Sequence, residues 1–318
     1  MNIVVLDAGT LGDDLELNSL SEFGTVTSYP CTAPAELKDR IVNADIIVVN
    51  KVKIGAEALN AAKSLKLICV AATGYDNIDV AACREKGVGV CNVAGYSTDS
   101  VAQITAATVL HLACRYGIYL PFVEDGSYTR SATANKVSPP FYELRGKTWG
   151  IVGYGNIGKQ VGRIAAAFGC KVIVCKRTPE EGVECVDIDT LCKESDIITL
   201  HTPLTDKTRS LIDERRISLM KKGVIIVNTA RGAVTDEAAL AKALVDGRIG
   251  GLGVDVYSAE PMAETSPFYP IRNMPSLCLT PHMAWAAYEA RCRCLSEICE
   301  NIRCYLNGEK RSRVDIIQ

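Results

Sequence analysis

Thr148-Trp149-Gly150-Ile151-Val152-Gly153-Tyr154-Gly155-Asn156-Ile157-Gly158 is the stretch on which the reading of this chain turns. Its first five residues are mostly apolar, as in a strand buried on both faces. The run from Asn156 to Phe168, NIGKQVGRIAAAF, then places apolar residues at helical spacing. Three glycines mark the junction in the order G-x-G-x-x-G. The first permits the tight turn, the second lets a pyrophosphate approach the backbone, and the third lets helix and strand pack closely. The first N–H groups of the helix and its partial positive charge face the same point. The stretch therefore predicts a strand, a turn and a helix built around a dinucleotide, with Gly153, Gly155, Asn156, Ile157 and Gly158 as the cradle.

Outward from that stretch, short Val- and Ile-rich runs alternate with amphipathic ones. Downstream strands are expected at Lys171–Cys175, Asp196–Leu200, Gly223–Asn228, Gly251–Val254 and Leu277–Thr280, with helices at Asp213–Met220 and Asp236–Val245. Upstream, Ile3–Leu6, Asp45–Val49, Leu67–Ala71 and Val88–Asn92 read as strands, and Gly55–Ser64 and Ser97–Arg115 as helices. From about Gly117 to Lys147 the chain reads as polar and irregular. Strand–helix alternation of this kind implies parallel sheets covered on both faces. The expected architecture is α/β, with two doubly wound parallel-sheet domains and a cleft between them. A Rossmann nucleotide-binding domain spans 98–286. A flavodoxin-like substrate domain spans 1–97 and is completed by 287–318, through the amphipathic run Trp285–Leu306. A chain of 318 residues suits two cores better than one.

Composition excludes several classes. Thirty-five basic residues stand against 37 acidic ones, which leaves no basic excess for gripping nucleic acid. No apolar run reaches the roughly 20 residues of a membrane span, and MNIVVLDAG reads as a first strand rather than a signal peptide. The 14 cysteines include no C-x-x-C pair. They read as small core residues of a cytoplasmic protein, and no metal site is expected.

The end of the second strand of the nucleotide unit bears on the cofactor. NAD-binding units place an acid there for the ribose hydroxyls. Here Val174-Cys175 is followed by Lys176-Arg177-Thr178. Two cations attract a 2′-phosphate, so NADP(H) is expected to be favoured over NAD(H).

Three polar residues stand just past apolar strands, at the carboxyl ends where open α/β sheets bind ligands. Arg231 follows Val227-Asn228-Thr229-Ala230, Glu260 closes Asp255-Val256-Tyr257-Ser258-Ala259, and His282 follows Leu279-Thr280-Pro281. Hydride transfer to a keto acid needs this set of groups. A planar cation holds the carboxylate and polarises the carbonyl. A histidine protonates the nascent alkoxide near neutral pH. A carboxylate fixes that histidine's tautomer.

These segments, together with ATGYDNIDV (Ala72–Val80), GYSTDSVAQ (Gly95–Gln103) and HTPLT (His201–Thr205), resemble the D-isomer-specific 2-hydroxyacid dehydrogenase family over nearly the whole chain. The resemblance implies an NAD(P)-dependent oxidoreductase with Arg231 on the substrate, Glu260 as carboxylate partner and His282 as acid/base. It puts His201, Thr202, Pro203, Thr229, Ala230 and Asp255 against the cofactor, with Asp255 at the nicotinamide carboxamide. The backbone N–H groups at Thr73 and Gly74 are implied to bind the substrate carboxylate, and a homodimer is implied as the assembly. Trp285-Ala286 and Asn50-Lys51-Val52 are most similar to the glycerate dehydrogenase/hydroxypyruvate reductase branch, with Lys51 toward the substrate. Hydroxypyruvate or glyoxylate is then the expected substrate. Pyruvate or a branched keto acid is the alternative, and a non-catalytic dinucleotide sensor is the rival from another class. Lys176 departs from the family's usual acid at that position.

Overall fold

The computed structural model describes residues 1–316. The chain divides into two compact units, Met1–Ser97 together with the segment from Ala286 onward, and Thr98–Trp285.

In the first unit the strands are β1 (Asn2–Val5), β2 (Thr25–Ser28), β3 (Ile46–Val49), β4 (Leu67–Val70) and β5 (Gly89–Cys91). The short helices α1 (Leu37–Ile41), α2 (Ala56–Ala61) and α3 (Val80–Glu85) lie among them in sequence. The sheet is wholly parallel, in the order β2-β1-β3-β4-β5. That is the flavodoxin-like order, with its switch point between β1 and β3. β3 and β4 are buried along their whole length, which is why they read as unbroken apolar runs.

The second unit opens with α4 (Thr98–Ala113) and α5 (Tyr116–Glu124). It continues through β6 (Thr148–Val152), α6 (Asn156–Ala167), β7 (Lys171–Cys175), β8 (Glu184–Cys185), α7 (Ile188–Glu194) and β9 (Ile197–Leu200). α8 (Glu214–Leu219), β10 (Val224–Asn228), α9 (Glu237–Val245), β11 (Ile249–Val254) and β12 (Leu277–Leu279) complete it. The seven strands are parallel in the order β12-β11-β10-β9-β6-β7-β8. The first crossovers run outward through β7 and β8 and the later ones through β9 to β12, so the switch point falls between β6 and β9, beside the glycine turn. Trp149 is fully buried on β6, and its indole N–H donates to Thr199 Oγ1 at 3.1 Å. Carboxylate caps start α7, α8 and α9: Asp187, Asp213 and Asp236 each accept a first-turn N–H.

The last helix, α10 (Tyr288–Leu306), belongs to the first unit. It buries Cys294, Leu295, Ile298 and Ile302, and Tyr305 Oη donates to the Lys66 carbonyl at 2.9 Å.

The strands β2 and β8 are not among those expected, and one stretch read as irregular is partly helical. The chain after Gly117 is not irregular throughout, because Tyr116–Glu124 forms α5 with Pro121 inside it. Pro and Gly read as helix breakers, yet the helix restarts from Arg115, which adopts the left-handed conformation at φ 56° and lets the chain turn and resume.

All 14 cysteines are free thiols. Burial pushes Cys83 and Cys91 up to about 11 and Cys192 and Cys294 up to about 12, which leaves them inert as nucleophiles. Among the described residues no His/Cys/Asp/Glu group could hold a metal ion. Among them too, no single helix is long and apolar enough to cross a membrane.

Candidate active site

The glycine turn meets the requirements of a phosphate cradle. Gly153 sits at φ 90°, and a Cβ there would lie 2.5 Å from the His201 carbonyl oxygen. Only glycine fits that turn. A Cβ on Gly158 would lie 2.2 Å from the Gly153 carbonyl, so helix and turn are in direct contact. Gly155 faces the other way: a Cβ there meets nothing within 4 Å. As the N-cap of α6 it has no side chain to occupy the helix end, and the helical ladder begins at Lys159 N–H to Gly155 O, 2.9 Å. The amides of Asn156, Ile157 and Gly158 are thus in the first turn, bordered by open space. These residues fit a dinucleotide pyrophosphate.

At the end of β7, Lys176 has an acidic partner. Its ammonium pairs with Glu180, four residues on, and Glu180 also pairs with Lys159 at 2.7 Å. The hydrogen bonds from both lysines hold the Glu180 carboxyl below the usual carboxylate range. Arg177 is exposed. Lys159, Lys176 and Glu180 therefore form one cluster, with Arg177 next to Lys176 in the chain.

His201 follows β9. Its backbone N–H donates to Val152 O at 2.7 Å, which ties the His201-Thr202-Pro203 loop to the glycine turn. Part of the residue is accessible, yet both ring nitrogens are shut away from solvent without a hydrogen-bond partner among the described residues. Burial lowers its pKa to about 3, so the ring is neutral throughout the physiological range. An unfolded histidine binds a proton near pH 6.5. The contribution of His201 to stability is therefore complete above that pH and is lost as pH falls toward 3, at up to about 1.4 kcal/mol per pH unit. Urea titrations of the protein and of His201→Asn at pH 7 and pH 5 check this. The wild type should lose more stability on acidification, and equal losses would contradict it.

Arg231 lies just past β10 on a tightly held turn. Asn228 Nδ2 donates to the Arg231 carbonyl at 2.9 Å, and Asn228 Oδ1 accepts the Ala230 N–H at 3.0 Å. The Arg231 side chain is half-buried, with Nη1 donating to the Ala230 carbonyl at 2.8 Å. Thr229 Oγ1 shares a hydrogen bond with Thr105 of α4 at 3.1 Å. The next residue is Gly232, where a Cβ would lie 2.1 Å from the Tyr257 carbonyl carbon. The arginine turn therefore rests on the backbone of the segment that leads to Glu260.

Glu260 and His282 meet. His282 Nδ1 and Glu260 Oε2 are 2.7 Å apart, with side-chain exposures of 22% and 33%. The other carboxylate oxygen of Glu260 accepts the Tyr257 N–H at 3.1 Å, which fixes the carboxylate's orientation. The Tyr257 hydroxyl is pushed up to about 12 by burial and by Asp255 and Glu260. It stays protonated and donates to the Thr280 carbonyl at 2.9 Å. Asp255 is 3% exposed and accepts hydrogen bonds from the Thr280 hydroxyl and from the Met283 and Ala284 amides, at 2.6, 2.9 and 3.0 Å. Hydrogen bonds to a charged group contribute about 1.5–3 kcal/mol each, and a buried carboxylate requires them.

In the first unit, Lys51 is exposed on a loop anchored by the buried carboxylate of Asp7. That carboxylate accepts the N–H groups of Asn50, Lys51 and Val52 at 2.9, 2.5 and 3.0 Å. Thr73 donates its hydroxyl to the Val93 carbonyl at 3.0 Å, and Gly74 follows on the exposed turn after β4. The Asp7, Tyr257 and Thr280 contacts were not anticipated from sequence. Each links residues distant in the chain, and no local pattern announces them.

Residues 106–284 match the D-isomer specific 2-hydroxyacid dehydrogenase, NAD binding domain. The chain belongs to the D-isomer-specific 2-hydroxyacid dehydrogenase family. It is 36% identical to a glycerate dehydrogenase of Methylorubrum extorquens over 89% of this chain and 89% of that one. It is 40% identical to a hydroxypyruvate reductase of Thermotoga maritima, over 84% of this chain and 86% of the relative. The structure of an Aquifex aeolicus D-lactate dehydrogenase complexed with NAD and lactic acid superposes with a TM-score of 0.85 at 29% identity, over 100% of this chain and 100% of that one. Membership of this family makes the protein a nicotinamide-dependent oxidoreductase acting on small 2-hydroxy or 2-keto acids.

Proposed function

We propose that the protein reduces hydroxypyruvate or glyoxylate, forming D-glycerate or glycolate. The observation that carries this reading is the hydrogen-bonded Glu260–His282 pair, on the same sheet and at the same strand ends as the dinucleotide cradle. The substrate class is taken from the relatives named glycerate dehydrogenase and hydroxypyruvate reductase.

In this reading the reduced nicotinamide supplies the hydride when bound. The residues Gly153, Gly155, Asn156, Ile157 and Gly158 hold the pyrophosphate. His201, Thr202, Pro203, Thr229, Ala230 and Asp255 line the rest of the cofactor. Arg231 grips the substrate carboxylate with two N–H groups and polarises the carbonyl. From the first unit, the N–H groups of Thr73 and Gly74, which the family resemblance assigns to the substrate carboxylate, and the side chain of Lys51 are the proposed substrate contacts. His282 donates to Glu260 through Nδ1 and delivers the proton of Nε2 to the carbonyl oxygen as it becomes an alkoxide. The carboxylate of Glu260 stabilises the protonated ring before that transfer.

Turnover of hydroxypyruvate, glyoxylate, pyruvate and 2-ketoisocaproate, assayed in parallel, tests the substrate. The largest kcat/KM is expected with hydroxypyruvate or glyoxylate. Preference for pyruvate or 2-ketoisocaproate would move the enzyme to another branch of the family. Tight dinucleotide binding without any turnover would favour a sensor.

For the cofactor, the reading is NADP(H) over NAD(H). The excess of cations at Lys159, Lys176 and Arg177 over Glu180 supports it, since it favours a 2′-phosphate. NADPH should exceed NADH in kcat/KM by about tenfold or more, the size of one charge-assisted hydrogen bond. Lys176→Asp with Arg177→Ala should reverse the order. A wild-type preference for NADH would reject the reading.

A homodimer is part of the proposal. α5 buries none of its residues and exposes Tyr116, Leu120 and Val123, and Phe141 and Tyr142 are exposed farther along the chain. An apolar surface of this kind is typical of a protein contact. Sedimentation should give twice the chain mass, and Leu120→Asp with Val123→Asp should halve it. A wild-type monomer would refute this. A reducing cytoplasm suits the 14 unpaired thiols.

A further inference from the structure

His282 has a backbone conformation that few non-glycine residues adopt. It sits at φ 52°, in the left-handed region. Such a conformation persists in a non-glycine residue only where the surroundings impose it, and it is concentrated at functional positions. The surroundings here are specific. On one side, Asp255 Oδ1 accepts the Thr280 hydroxyl at 2.6 Å and the Met283 N–H at 2.9 Å, and Oδ2 accepts the Ala284 N–H at 3.0 Å. On the other, the buried hydroxyl of Ser100 on α4 donates to the Ala284 carbonyl at 2.6 Å. Tyr257 Oη donates to the Thr280 carbonyl at 2.9 Å, and the His282 N–H closes onto that same carbonyl at 3.1 Å. The residues on both sides of His282 are thus tied to β11 and to α4.

We infer that Asp255 and Ser100 are positioning residues that clamp the Thr280–Ala284 turn and so hold the His282 imidazole in its aim. The inference rests on the reading of His282 as the proton donor. It assigns Asp255 a task beyond contact with a cofactor. A carboxylate offers about four acceptor directions. Three are taken up by the turn, which leaves one on Oδ2 for a carboxamide N–H. Asparagine cannot replace this residue. Whichever way its amide is turned, an NH2 group faces either the Ala284 N–H or the Thr280 and Met283 donors.

The clamp predicts a kinetic signature different from that of a binding residue. A histidine displaced by a fraction of an ångström still leaves the dinucleotide cradle intact but slows the proton-transfer step. Ser100→Ala and Thr280→Val each remove one clamp bond without altering a charge. Each is expected to lower kcat about 3- to 10-fold, with the dissociation constant for NADPH, measured by fluorescence titration, within twofold of wild type. Thr280→Ser, which keeps the hydroxyl, should retain wild-type kcat. Asp255→Asn should lower kcat by about 10- to 100-fold.

Retained dinucleotide affinity shows in the same titration that each variant is folded. The clamp is refuted if Ser100→Ala and Thr280→Val keep wild-type kcat. It is refuted equally if kcat and dinucleotide affinity fall together and Thr280→Ser fails to restore them. His282→Ala measured alongside separates the two claims. If that variant loses activity while Ser100→Ala and Thr280→Val keep wild-type kcat, the clamp alone falls. If it is fully active, the reading of His282 falls.

Discussion

His282→Ala is expected to lower kcat by about 10²- to 10⁴-fold, the contribution of a positioned general acid, or about 3–5 kcal/mol of transition-state stabilisation. The variant should bind the dinucleotide as the wild type does, because no atom of the imidazole belongs to the glycine turn or to the His201 loop. The loss arises because hydride addition places a full negative charge on the former carbonyl oxygen. Without an acid in reach that charge must be met by water. In the proposed mechanism Glu260 acts through the histidine. Its carboxylate is 2.7 Å from Nδ1 and is itself held by the Tyr257 N–H, so Glu260→Gln should cost less than the loss of the ring. Steady-state rates at saturating cofactor, with a binding titration beside them, check this. Unchanged kcat in His282→Ala would remove the histidine from the chemistry.

Arg231→Lys should lower kcat/KM by about 10²- to 10³-fold, with KM rising and kcat falling together. Lysine keeps the charge but not the planar fork, and a single ammonium cannot grip both carboxylate oxygens while polarising the carbonyl. An interaction present in both ground and transition states appears in KM, and the part that strengthens as charge develops appears in kcat. The turn beneath Arg231 is held by Asn228 and by the contact of Gly232 with the Tyr257 backbone, so the substitution should leave the fold unchanged. A variant that binds and turns over substrate normally would show that the arginine has no part in recognition.

These expectations could be framed from sequence because the chemistry at each position is local. The spacing of Gly153, Gly155 and Gly158 carries its own geometric requirements, and the strand before it and the helix after it are strongly patterned. Arg231, Glu260 and His282 each follow an apolar run that could only be a buried strand. The structure adds the 2.7 Å contact between two of them.

What escaped the sequence depended on partners distant in the chain, or on weak local patterns. β2 (Thr25–Ser28) is a mostly exposed edge strand without apolar alternation, and β8 is two residues long. α5 was hidden by Gly117 and Pro121. The Glu180 carboxylate beside Lys176 lies in a loop whose path no periodicity sets. The ties of Asp255 and Ser100 to the His282 turn span 25 to 184 residues of sequence.

The most direct measurement is the fate of label from NADPH deuterated at the transferred position of the nicotinamide, incubated with hydroxypyruvate and the purified protein. The account predicts one deuterium at C2 of D-glycerate for each NADPH oxidised, and none when His282→Ala replaces the wild type on the same timescale. Tight binding of the dinucleotide with no label passing to hydroxypyruvate, glyoxylate or any other 2-keto acid would contradict it.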